Sequence, residues 1–225
     1  MRSLVSSPAA RASEAAGYTG VSTQENRHDP FLSLAVAGVA TKRIELHTSV
    51  AIAFPRSPMI AANIGWDLAA STGGRFTLGL GSQIRPHNEK RFSVPWTPPA
   101  PRLREYIQSI RAIWKAWKDG SKLQYEGKHY KFTLMTPHFV PEPYEGPAPR
   151  IGLAAVGPAT LKVAAEEAEV DSSDIDQHTK TDAIQYHHAE VAAGDKSFVR
   201  KDEIFTMTDE PGHQDLCDRE QAYFL

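Results

Sequence analysis

Cysteine is nearly absent. Cys217 is the only one in 225 residues, so the chain cannot form an internal disulfide, and nothing in its thiol content points to an oxidising compartment. A lone thiol of this kind is more often a small inert hydrophobe than a nucleophile. Excess charge of either sign is also lacking: 25 Lys and Arg stand against 27 Asp and Glu, a formal net charge of -2. With no basic stripe to release counterions from a phosphate backbone, nucleic acid is not an expected partner. No run approaches the roughly 18 continuous apolar residues of a membrane span, and the opening Met1 to Ser7 has no apolar stretch of signal-peptide length. A soluble, cytoplasmic protein without membrane contact is expected. Gly-x-Ser-x-Gly is missing, so a nucleophile elbow is excluded, and the scattered histidines show no metal-ligand spacing, so no metal is expected.

What is present is enough apolar residue to build a core, 41% against 23% charged, in a chain somewhat shorter than the about 250 residues of a closed eight-fold (β/α) barrel. Helix formers from Pro8 to Ala16 stop at Gly17, and Gly20 to Thr23 reads as a short strand. Asp29-Pro30 is an N-cap followed by proline at the first helical position, which predicts a helix to Ala40. Arg43 to Phe54 alternates Ile44, Leu46, Thr48, Val50 and Ile52 with smaller or polar residues, predicting one continuous strand. Ser57-Pro58 opens a helix broken by Gly73-Gly74, and Arg75 to Gly81 is the next strand.

Further on, Leu103, Tyr106, Ile107, Ile110, Ile113, Trp114 and Trp117 form an apolar stripe at helical spacing that Asp119-Gly120 closes; the two tryptophans read as core. A hairpin over 123–132, a proline-rich loop, a strand over 151–156 and a helix from Gly157-Pro158 to about Glu167 follow. Strands that keep alternating with helices imply parallel βαβ units, hence a barrel or a doubly wound sheet. The acidic stretch 169–176 occupies the place of the next strand but carries too many carboxylates for a buried one. A helix over 180–193, a strand over 203–208 and the start of a helix from Asp215 complete the expectation.

Small residues cluster at three strand ends: Ser49 with Ala51, Gly79 with Gly81 and Ser82, and Ala154 with Ala155 and Gly157. They would leave a hollow for a flat ring at the C-terminal mouth of a barrel; tight strand packing is the other reading of the same residues. The helix start at Gly157 to Thr160 suits a phosphate or an ordinary cap. Arg85, His87, Lys90 and Arg91 follow the glycine strand and could neutralise an acidic ligand tail or form a solvated loop. Glu25 follows the strand over 20–23, where barrel enzymes hold acid and base groups, with surface placement as the alternative. Gly79-Leu80-Gly81 lacks the third glycine of a dinucleotide fingerprint and the Lys-Ser or Lys-Thr of a P-loop.

The sequence His28-Asp29-Pro30-Phe31, then Arg43 to Ala51, then Gly73-Gly74-Arg75-Phe76-Thr77-Leu78-Gly79-Leu80-Gly81-Ser82 resembles the luciferase-like monooxygenase superfamily. The likeness covers roughly 9–168, leaving 169–225 divergent within what reads as a single domain. Gly79-Leu80-Gly81-Ser82-Gln83 followed by Pro95-Trp96 is similar to the branch that uses coenzyme F-420. The resemblance implies an α/β fold of TIM (β/α)8 type, with the cofactor ring at the C-terminal mouth against a bulge that often contains a non-proline cis peptide. Carried over, that bulge is Ser49-Val50. It also implies cofactor contacts from Gly81, Ser82 and Gln83, and from Ala155, Val156, Gly157 and Thr160, the last group to a phosphate. Glu25 matches an acidic catalytic position, whereas Asn26 stands where some deazaflavin dehydrogenases place a histidine.

The activity this implies is hydride transfer between coenzyme F-420 and a small organic substrate. An FMN-dependent monooxygenase and a non-catalytic flavin-binding or dimer-forming remnant are the alternatives. Little more than Leu4-Val5 represents a first barrel strand, and the chain stops before a final one, so an open, incomplete barrel is expected. Its unpaired strand edges would favour aggregation or pairing with a partner, a homodimer among the expected partners.

Overall fold

The computed structural model describes residues 7–155, 157–168 and 204–206. Helix α1 (Ser7–Ala15) ends just before Gly17, which takes φ +88°, a left-handed conformation that ends helices at little cost to glycine. Strand β1 (Gly20–Thr23) is buried along its whole length. Helix α2 (Pro30–Ala40) starts as Asp29-Pro30 predicts: the Asp29 carboxylate accepts hydrogen bonds from Phe31 N (2.8 Å) and Leu32 N (3.2 Å).

The single strand expected over Arg43 to Phe54 is instead two pieces, β2 (Glu45–Thr48) and β3 (Ala51–Ile52), separated by Ser49-Val50, whose peptide bond is cis. The cause lies in the register against β4 (Phe76–Gly81). His47 pairs with Thr77 and Ala51 with Leu80, so the first strand advances four residues while β4 advances three. One extra residue is accommodated there as a bulge. Helix α3 (Pro58–Thr72) has Ser57 as cap and stops at Gly73 (φ +67°), and α4 (Pro99–Asp119) stops at Gly120 (φ +69°). A short antiparallel hairpin, β5 (Tyr125–Glu126) with β6 (Lys131–Phe132), precedes β7 (Arg150–Leu153) and α5 (Pro158–Glu167).

Among the described residues all other strand pairings are parallel. β7 pairs with β4, β4 with β2 and β3, and β2 with β1; in the chain α2 separates β1 from β2, α3 separates β3 from β4 and α4 lies between β4 and β7, and β8 (Ile204–Thr206) lies on the outer side of β1. This is the parallel α/β arrangement of a TIM-type barrel. β8 forms within the strand expected over 203–208, on the flank of β1 where Leu4-Val5 would be sought. Leu4-Val5, the acidic stretch 169–176, the helix over 180–193 and the segment from Asp215 lie outside the described residues.

One face of the strands packs on the helices. Val21, Leu46, Phe76, Leu78, Leu80, Ile151 and Leu153 meet Leu34, Trp66 and the α4 stripe of Leu103, Tyr106, Ile107, Ile110 and Ile113 in one core. Trp114 is 3% and Trp117 7% exposed, so both belong to that core, with Trp114 Nε1 donating to Ala62 O at 3.0 Å. Side chains alternate along a strand, so Gly20, Ser22, Glu45, His47, Thr77, Gly79, Arg150 and Gly152 face the other way, into the barrel.

Candidate functional site

The carboxyl ends of the strands are laced together at the bulge. Ser49 N donates to Thr23 O (2.8 Å), Ala53 N to Gly81 O (2.9 Å), Ala154 N to Leu80 O (2.9 Å), and Thr48 Oγ1 to Gly79 O (2.7 Å). Of the expected cofactor residues this brings Ser49, Val50, Gly81 and Ala155 to one end of the sheet, with Ser49 exposed, Val50 half-buried, and Gly81 and Ala155 buried. The glycines do not leave a hollow at their own positions. A Cβ on Gly79 would stand 1.8 Å from Thr48 O, and one on Gly81 would stand 2.6 Å from a Val50 methyl. Both positions are glycine because the bulge lies directly on them.

Ser82 and Gln83 lead the chain out of β4. Ser82 O accepts Asn88 Nδ2 at 2.9 Å, and Gln83 has φ +57° with its own Oε1 accepting from Ile84 N at 2.8 Å. At the start of α5, Gly157 O accepts from Thr160 N (3.0 Å) and Leu161 N (2.9 Å), and among the described residues no side chain caps the turn and a Cβ at Gly157 would meet nothing within 4 Å. Among these residues the turn is open for an anion on its N-terminal side. Val156 lies outside the described residues.

Glu25 is engaged in a clasp. Its Oε2 accepts from Ile52 N (2.7 Å) and from Arg56 Nη1 (2.6 Å), while Arg56 also donates to Ile52 O (3.0 Å) and reaches Asp29 Oδ2 (3.2 Å). The two side chains are 9% and 17% exposed, and the Arg56 guanidinium stands over the Phe31 ring. Burial alone would lower the Arg56 pKa, but Glu25 and then Asp29 outweigh it and raise the value above that of a free arginine. The clasp fixes β3, just past the bulge, to the N-terminus of α2.

A polar row on the inner face was not singled out from the sequence. Register places Ser22, His47, Thr77 and Arg150 side by side on β1, β2, β4 and β7. Glu45 Oε2 lies 3.3 Å from His47 Nε2 and 2.7 Å from Arg150 Nη2; the imidazole, then the guanidinium, hold the Glu45 carboxyl down to about 2 against the opposing effect of burial. Gly20 leaves room for the His47 ring, since a Cβ there would already touch it at 3.4 Å. Thr77 Oγ1 is buried with no hydrogen-bond partner, and His47 Nδ1 has none among the described residues. In the next row toward the mouth stand Gly79 and Gly152, which carry no side chain. The signal was available in the alternation that sets Glu45 and His47 opposite Leu46.

The basic loop after β4 divides. Arg85 pairs with Glu89 (3.1 Å), whereas His87, Lys90 and Arg91 with Pro86 line a cavity of about 240 Å³. Asn88, fully buried, ties the loop to Ser82 O and Ile84 O, and Arg91 Nη2 donates to Asn26 O at 2.7 Å. His87 Nδ1 is buried with no hydrogen-bond partner among the described residues. Among the described residues no cluster of His, Cys, Asp or Glu could hold a metal ion, and no helix is long and apolar enough to cross a membrane.

An uncharacterized protein of Mycobacterium tuberculosis is 53% identical over 161 residues, 72% of this chain and 47% of that protein, so the chain spans about half the length of this relative. Among solved structures, an F-420-dependent secondary alcohol dehydrogenase in complex with an F-420–acetone adduct superposes with a TM-score of 0.62 at 17% identity, over 88% of this chain and 62% of that one. The oxygenating constituent of 3,6-diketocamphane monooxygenase from Pseudomonas putida, in complex with FMN, superposes at 0.60 and 19% identity, over 84% and 57%. At these identities the two structures speak for the fold, that of the luciferase-like TIM barrels. The sequence pattern of the luciferase-like monooxygenases matches residues 8–196, and the chain belongs to that family.

Proposed function

We propose that this chain is a hydride-transferring oxidoreductase that binds coenzyme F-420 at the carboxyl ends of its strands, with a small organic substrate beside the ring. The observation that carries this reading is the Ser49-Val50 bulge, seated on Gly79 and Gly81, with the uncapped first turn of α5 one strand beyond β4. The half-buried Val50 side chain offers an apolar contact for a flat ring, and the Gly157 to Thr160 turn is open to a phosphate. The residues thus fit a ring with an anionic tail. When bound, such a cofactor supplies a ring carbon that takes up or gives a hydride.

The chain's own contribution is positioning and proton exchange. Glu25 and Arg56 hold the strand beyond the bulge, so Glu25 acts as a positioning residue in this reading. His47, oriented through Nε2 by Glu45 and with no partner on Nδ1 among the described residues, is the side chain of the inner face placed to exchange a proton. Two copies pair in the same reading: α2 has no charged residue and leaves Leu32, Val36 and Val39 exposed one turn apart, a face that meets its own copy without like-charge repulsion. A monomer at micromolar concentration by light scattering would remove that part.

The cofactor assignment is tested by titrating purified protein with coenzyme F-420 and, separately, with FMN, and following the absorbance of each. Saturable F-420 binding is expected. Binding of FMN alone would overturn the F-420 assignment in favour of a monooxygenase, and binding of neither would overturn the reading as a whole.

A further inference from the structure

We propose that the cavity lined by Pro86, His87, Lys90 and Arg91 is a docking pocket for an anionic group, a carboxylate or phosphate, carried by the substrate; the substrate's role here rests on the cofactor reading above. Lys90 and Arg91 bring two cations to one small hollow, and the single acid of the turn, Glu89, is taken by Arg85. Lys90 makes no ion pair among the described residues. His87 lines the same hollow, its Nδ1 buried and without a hydrogen-bond partner among the described residues. Lys90 and Arg91 together suit an oxyanion, whose several acceptor oxygens satisfy more than one donor.

The pocket is preorganised. Asn88 is fully buried and holds the turn through two carbonyls, and Arg91 is tied to Asn26 beyond β1. At about 240 Å³ it is smaller than the roughly 300 Å³ at which pockets for whole ligands begin, so it fits a head group. Its place decides which ligand that group belongs to. The Arg91–Asn26 bond lies on the β1 side of β4, whereas the first turn of α5 follows β7 on the other side. A cofactor whose phosphate sits on α5 leaves this pocket for the molecule opposite, and the substrate class is therefore an organic acid or phosphate ester.

The test is a set of binding titrations on the purified chain. Inorganic phosphate is the first probe, followed by ligand-induced chemical shifts, with Lys90→Gln, Arg91→Gln and, as control, Lys122→Gln, an exposed lysine outside the cavity lining. Phosphate should bind the unaltered chain, weaken with added salt, and weaken roughly tenfold in Lys90→Gln and Arg91→Gln but not in Lys122→Gln. No phosphate binding, or equal weakening in the control, would overturn the proposal. Coenzyme F-420 and its tail-less deazaflavin form are then titrated onto the same variants. Unchanged F-420 affinity in Lys90→Gln supports a substrate pocket. A loss confined to the tailed cofactor overturns that assignment and gives the cavity to the cofactor. Variant-sensitive phosphate binding without any F-420 or FMN binding supports the anion pocket and overturns only the cofactor reading.

Discussion

Glu14 shows how a single side chain can tie an element down. Its carboxylate accepts from Lys42 N, Arg43 N and Ile44 N, at 2.6 to 2.9 Å for the shortest contact of each, and so fastens α1 to the entrance of β2. The Ile44 and Arg43 amides hold its pKa down to about 2 from 4.5. A folded-state value below the unfolded one contributes stability that is present above about pH 4.5 and is lost as the pH falls toward 2. The melting temperature should therefore drop through that window, and Glu14→Gln should flatten the drop; an identical pH profile in the variant would contradict the assignment. Glu25 calls for a different comparison. Glu25→Ala leaves Ile52 N and the Arg56 guanidinium unpaired in a largely buried setting and should cost about 3 kcal/mol by urea unfolding, with Glu25→Gln milder because it keeps an acceptor. A negligible cost for Glu25→Ala would show that the clasp holds nothing. Glu25 stood out in the sequence but its pairing did not: Glu25 and Arg56 are 31 residues apart, and only the turn of the chain through α2 brings them together.

At the scale of elements, the boundaries set by local chemistry were readable. Asp29-Pro30, Gly73 and Gly120 act through their own backbone conformation or nearest amides, so α2, α3 and α4 begin and end where these residues stand. The bulge was not readable from alternation, because Ile44, Leu46, Thr48, Val50 and Ile52 keep a period of two through it; the family resemblance located it. Its physical cost falls on the neighbouring strand. Gly79→Ala would drive a Cβ into the Thr48 carbonyl, a backbone group with nowhere to go, and should destabilise by at least about 2 kcal/mol. Ile110→Ala in the α4 stripe should cost about 2 to 4 kcal/mol through the cavity it leaves. Denaturant melts of the two variants check both values, and a silent Gly79→Ala would mean that the strands do not meet as described.

For the whole molecule, the parallel βαβ order was legible because each unit repeats the same local pattern, while the site depends on register among strands distant in sequence. The row of Ser22, His47, Thr77 and Arg150 exists only once four strands are aligned. The same holds for the gathering of the bulge, the β4 exit and the α5 start at one mouth. Gly157 tests whether that mouth receives a phosphate-bearing cofactor. A Cβ there meets nothing within 4 Å among the described residues, and aspartate is a favoured helix cap, so Gly157→Asp should keep or raise stability while placing a negative charge where the phosphate would bind. The deciding measurement is the affinity of coenzyme F-420 for the unaltered chain and for Gly157→Asp, with melting temperatures recorded alongside. The account predicts saturable binding that weakens about tenfold or more in the variant with no loss of fold. Equal affinity in both would contradict it.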